Sequence, residues 1–262
     1  MIRIEDLHKS FNGHAVLRGI TLEIAKGEVI ALIGGSGEGK SVLMKHIAGL
    51  MKPDSGRVLV DGNNIGSFRG GYLKQLRSRL GFLFQGGALF DSMTVFENVA
   101  FPLEEKTKIG KKKIRERVLE QLSNVDLSGS EDKFPSQISG GMVKRAALAR
   151  SLVTDPEIML FDEPTTGLDP VTGLAILKLI NVIHEKFSFT GVVVTHEIPR
   201  VFDIVDRVAF LKDGVVAAYA TPREFMSSSI PEVKAFLAGT LGRPDPDGPD
   251  FFNPVGSDRT AG

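Results

Sequence analysis

The run Gly34-Gly35-Ser36-Gly37-Glu38-Gly39-Lys40-Ser41 follows the apolar stretch Val29-Ile30-Ala31-Leu32-Ile33 and precedes the helix-like stretch Val42-Leu43-Met44-Lys45-His46-Ile47. A buried strand that ends in such a loop and turns directly into a helix matches the P-loop pattern, so the chain is expected to bind a nucleoside triphosphate. Glycines let successive backbone N–H groups turn inward around phosphates, and the helix N-terminus adds its partial positive charge. Lys40 is expected to reach the β- and γ-phosphates and the Ser41 hydroxyl to take a place on Mg²⁺, with Val42 completing the nucleotide-binding set.

Length and composition leave room for this and close off other chemistry. The 262 residues, 42% of them hydrophobic, suffice for one large α/β domain with an insertion. Cysteine is absent, which excludes disulfides, thiol catalysis and cysteine-held metal. Thirty-two basic residues balance 32 acidic ones, so net charge gives no argument for nucleic acid. Met1-Ile2-Arg3-Ile4-Glu5 alternates like a strand rather than opening an apolar signal segment. The longest apolar runs fall far short of the roughly 20 residues of a membrane span, so a membrane role would come through a partner.

Periodicity predicts antiparallel strands over Ile2 to Phe11 and Val16 to Ile24, a strand over Arg57 to Val60, and a buried strand from Leu80 to Phe84 ending at Gln85. From Gly86 to about Pro156 strand signals vanish and helical ones dominate, including the basic stretch Lys111-Lys112-Lys113-Ile114-Arg115. Strands return at Ile158 to Phe161 and Val192 to Thr195, with a helix from Pro170 and a closing pair around Lys212-Asp213-Gly214. The expected division is an ATP-binding core over residues 1–85 and 157–222, a helical subdomain over 86–156, and a C-terminal helix and tail over 223–262.

Two further motifs carry chemistry. Ile158-Met159-Leu160-Phe161 ends in Asp162-Glu163. After a P-loop, Asp162 suits the Mg²⁺-supporting carboxylate and Glu163 the acceptor of a proton from attacking water. Ile138-Ser139-Gly140-Gly141 opens a helix with Ser139 as N-cap, an end that could bind a second anion or be an ordinary capped helix.

Ser139-Gly140-Gly141 followed by Asp162-Glu163 resembles the signature and catalytic motifs of ABC transporter ATPases, and the resemblance spans residues 1 to about 225. It implies a RecA-like P-loop α/β core with an antiparallel β subdomain and an inserted helical subdomain. It also implies a homodimer in which the signature of one subunit closes over ATP held by the P-loop of the other. Phe11 then occupies the position that stacks on adenine, although taken alone it reads as core packing. Gln85 matches the glutamine that touches Mg²⁺ or the attacking water and relays closure to the membrane subunit. Gly167-Leu168-Asp169 resembles the loop coupling the two sites, with Asp169 as its acid, and His196 matches the switch histidine on the γ-phosphate.

Position 142 is Met where most of the family has Gln. The stretch from Ile138 to Arg150, and the one from Phe84 to Leu103, resemble a narrower branch, the ATPases of Mla and Mce-type lipid transporters. That branch implies phospholipid transport between bacterial inner and outer membranes, permease subunits docked near Leu89 and Phe90, a Mce-domain partner, and a seat on the cytoplasmic face of the inner membrane. Other ABC importers and soluble ABC mechanoenzymes are the alternatives. Phe251 and Phe252 lie in a Pro-, Gly- and Asp-rich tail that reads either as a disordered end or, by resemblance, as a segment wrapping the neighbouring subunit.

Overall fold

The computed structural model of the chain describes residues 1–67 and 71–241; the tail carrying Phe251 and Phe252 lies outside them. Strands β1 (Ile2–Phe11) and β2 (His14–Ile24) form an antiparallel pair. They are joined by Asn12-Gly13, both with positive φ, the hairpin geometry that suits right-handed strand twist. After β3 (Val29–Gly34) and helix α1 (Lys40–Ile47), β4 (Ser55–Val60) adds to the other edge of β1, and β5 (Asn63–Asn64) completes a four-stranded sheet ordered β2-β1-β4-β5.

The second sheet holds the P-loop strand at its centre. Helix α2 (Gly71–Ser78) leads into β6 (Leu80–Leu83). Three helices follow, α3 (Val95–Lys106), α4 (Lys111–Asn124) and α5 (Gly140–Leu152), before β7 (Ile158–Asp162). Helix α6 (Pro170–Phe187), β8 (Thr190–Val194), β9 (Arg207–Lys212) and β10 (Val215–Ala220) come next, then α7 (Pro222–Met226) and α8 (Pro231–Leu241). The sheet order is β10-β9-β3-β8-β7-β6, parallel except for β10. This is the α/β class expected of a P-loop protein, with an antiparallel sheet beside it.

Why these strands are buried on both faces follows from their composition and the two-residue period of a strand. In β3, Val29, Ala31 and Ile33 enter a core shared with α3, α4, α5 and α6, while Ile30 and Leu32 enter a second core against the small sheet and α1. β7 divides the same way, Met159 and Phe161 to the first core and Ile158 and Leu160 to the second. The C-terminal ends of β3 and β7 therefore emerge together between the two cores, which places the P-loop beside Asp162 and Glu163.

The observed elements differ from expectation in detail. β2 begins at His14 rather than Val16, and β6 ends at Leu83, leaving Phe84 to the loop, stacked 4.1 Å from Phe82. Helix α2 was not foreseen, because it is short and largely polar.

Candidate active site

The P-loop is shaped by positions that only glycine satisfies. Gly34 leaves β3 with φ 148°, and a Cβ there would stand 2.3 Å from the carbonyl oxygen of Leu211 in β9. Gly39, at φ 93°, is the N-cap of α1, and no side chain among the described residues caps that helix. Its first-turn N–H groups are thus left for an anion. Glu38 does something the motif does not announce. Its carboxylate accepts from Lys212 Nζ at 3.1 Å and Asp213 N at 2.6 Å, tying the loop to the β9–β10 hairpin and leaving its backbone for the loop itself.

An open cleft runs beside this loop, lined by Ser36, Gly37, Gly39, Lys40, Ser41 and Val42. Gly34 and Gly35 contribute from beneath, their carbonyls accepting from Lys40 Nζ at 2.9 and 2.7 Å. Burial pulls the Lys40 amine down from its usual range, and Glu163, Glu38 and Asp162 act against that shift.

Across the cleft stand the two acids from the end of β7. Burial first, then the neighbouring Glu163, pushes the Asp162 carboxyl up, while Lys45, Lys40 and Lys144 pull it back. Glu163 has φ 51°, a left-handed conformation that a non-glycine residue holds only when its surroundings fix it. They do. Its N–H donates to Val194 O at 2.9 Å, and its Oε2 lies 2.9 Å from the donating hydroxyl of Thr166 and 2.6 Å from His196 Nδ1. Among the described residues Oε1 makes no hydrogen bond. Thr166 was missed by sequence reading; its only signal is its place in the turn after Glu163.

Phe11, at the end of β1, is 41% exposed on the cleft, which rules out core packing. Lys9 Nζ lies 5.5 Å from its ring centroid, and Asp54 fixes that strand end by accepting from Lys9 Nζ at 2.6 Å and Ser10 N at 2.7 Å. Gln85 also lines the cleft, just after β6.

Four predicted residues lie elsewhere. Ser139 caps α5 through its hydroxyl, which accepts from Met142 N at 3.3 Å. Gly140 packs near Leu168, and a Cβ on Gly141 would meet Thr172 at 2.6 Å, so this helix end rests on the start of α6. Asp169 caps α6, accepting from Val171 N and Thr172 N at 3.1 and 3.0 Å. None of the four lines the cleft of its own chain.

Residues 17–166 match the family described as ABC transporter. The chain belongs to the ABC transporter family. MlaF of Haemophilus influenzae, named as the ATP-binding protein of an intermembrane phospholipid transport system, is 38% identical over 96% of this chain and 94% of its own length. MlaF of Escherichia coli K12 is 36% identical over 94% of this chain and 91% of its own. The mkl protein of Mycobacterium leprae, named for ribonucleotide transport, is 42% identical over 91% of this chain, which spans 69% of that relative. Among solved structures, cbiO1 from Clostridium perfringens superposes with a TM-score of 0.81 at 34% identity, covering 92% of this chain and 96% of its own. A dimeric ATP-binding cassette in a post-hydrolysis state with ADP and Pi superposes at 0.77 with 33% identity, covering 85% of this chain and 99% of its own. The chain is an ABC-type ATPase, and the cleft is its candidate nucleotide site.

Proposed function

We propose that this chain, paired as a homodimer of ATPase subunits, drives an ABC transporter complex that moves phospholipid between bacterial inner and outer membranes. The observation that carries the reaction is the Glu163 carboxylate, with Oε2 held by Thr166 and His196 and Oε1 left open beside the cleft. In this reading the phosphates lie along the N-terminus of α1, Lys40 neutralises their charge, and Phe11 stacks on the base. Oε1 of Glu163 takes the proton of the attacking water, and His196, bonded through Nδ1, offers Nε2 to the γ-phosphate. Ser41, Gln85 and Asp162 would hold Mg²⁺, since hydroxyl, amide and carboxylate oxygens are the hard donors it takes beside phosphate oxygens. Bound there, the ion would neutralise charge developing on the phosphoryl oxygens.

Ser139, Gly140, Gly141 and Asp169 do not line the chain's own cleft, which supports a role on nucleotide held by a second copy. Among the described residues no helix is long and apolar enough to cross a membrane. The transport step then belongs to integral-membrane permease subunits, through which this chain would sit on the cytoplasmic face of the inner membrane. Phe90 is 42% exposed, 5.0 Å from the Phe101 ring, and with Leu89 offers them an apolar landing point. A Mce-domain protein would complete the complex.

Phospholipid as cargo rests on the MlaF relatives. The mkl relative favours a second reading, ribonucleotide transport. Purification with native membrane partners, followed by mass spectrometry of proteins and bound small molecules, separates the two. Phospholipid together with a Mce-domain protein is the expected result; a ribonucleotide-binding partner without lipid would overturn it.

A further inference from the structure

Lys144, in the second turn of α5, is 5% exposed, yet no carboxylate among the described residues lies within ion-pair distance of it. A lysine this deep is uncommon without a partner, because removing the ammonium from water is costly. Burial lowers its pKa, and only the more distant Glu163 and Asp162 oppose that. What it bonds is backbone: Nζ donates to the carbonyl of Gln85. Farther along the same helix, Arg150 donates through its two terminal nitrogens to Ala88 O at 2.6 Å and Gly87 O at 2.7 Å. Between these grips the loop lies flush on α5, for a Cβ at Gly87 would meet Val143 at 3.3 Å and Ala147 at 3.4 Å. Gly87 and Ala88 both have positive φ, at 74° and 49°, and the alanine needs an external restraint to stay there.

We infer that Lys144 and Arg150 are positioning residues for Gln85, pinning the loop over residues 85–88 to α5 so that the glutamine amide keeps its place in the cleft. The helix that presents Ser139 thereby carries Gln85 with it. This rests on the reading of Gln85 as part of the ATP site. Among the described residues the two cations hydrogen-bond only main-chain oxygens, so in this inference they act on the reaction through the loop.

The test compares full-length wild type with Lys144→Met, Arg150→Met and Lys144→Arg, measuring steady-state hydrolysis and amide hydrogen exchange. Lys144→Met is expected to lower kcat about tenfold with KM for ATP within about twofold, because geometry around the water is lost while nucleotide contacts remain. Exchange at residues 85–88 should speed up in both Met variants while the rest of α5 stays protected. Lys144→Arg, which retains a donor of similar reach, should recover most of the rate. Wild-type exchange at 85–88 in both Met variants overturns the inference, and so does exchange that rises along all of α5, which would mark the two residues as fold supports. Gln85→Ala separates this from the reading beneath it. Wild-type turnover in that variant removes Gln85 from the chemistry, whereas the exchange measurement still decides whether the clamp exists.

Discussion

Glu163 shows how one side chain is prepared for a task by its neighbours. Its backbone is held left-handed by the bond to Val194, and one carboxylate oxygen is occupied by Thr166 and His196. Glu163→Gln keeps the shape and removes the basicity, so hydrolysis should fall by about 10² or more while ATP binding persists. Turnover and nucleotide binding measured on one preparation check this; near wild-type turnover would dismiss Glu163 as the base. Thr166→Val removes a donor without touching the reacting atoms. Its kcat should drop several-fold, with KM little changed, because the carboxylate loses one of its two restraints. The place of Glu163 at the cleft was legible from sequence, because an apolar strand ending in acids beside a P-loop has few other meanings. Thr166 was not, since its bond depends on the turn after Glu163 folding back by three residues.

At the scale of elements, β3, the loop and α1 work as a unit, and two positions test it. Gly34→Ala would drive a methyl group toward the Leu211 carbonyl at a backbone angle that L residues avoid, and should cost about 3 kcal/mol or more. Chemical denaturation would measure it, and a loss below about 1 kcal/mol would mean the loop can shift away. His46 lies 1% exposed in α1, with Nδ1 donating to Val42 O at 2.8 Å and Nε2 without a hydrogen-bond partner among the described residues. Burial lowers its pKa, and the Val42 carbonyl offsets only part of this. The unfolded chain therefore binds the proton more readily than the fold does. The stability this contributes is present above the ordinary histidine pKa and is lost as pH falls below it toward the folded value. Thermal melts at pH 7 and pH 5 should show a smaller acid-induced drop in Tm for His46→Met than for wild type. The strand, loop and helix could be read directly, because a run of five apolar residues, a glycine turn and a 3.6-residue pattern follow one another. The partners of Glu38 could not, since Lys212 and Asp213 lie in a distant hairpin that no local pattern connects to the loop.

For the molecule as a whole, the separation of Ser139 from the cleft makes a prediction about pairs of chains. Mixing Ser139→Arg with Lys40→Ala should regain turnover that neither variant has alone, because one of the two composite sites in a mixed dimer would contain only wild-type parts. No recovery, together with cross-links from Ser139 to the P-loop of the same chain, would sink the arrangement in trans. The sequence indicated the helical segment between β6 and β7 from its loss of strand signals. It did not indicate how tightly the segment is stitched to the sheet, which depends on contacts made across the fold. The alternation of β3 and β7 between two cores has a calorimetric consequence. Neither core can melt without stripping one face from the same strands, so the described body should give a single endotherm, with equal calorimetric and van't Hoff enthalpies. Weakening Ile30 on one face or Ala31 on the other should move that same peak rather than split it.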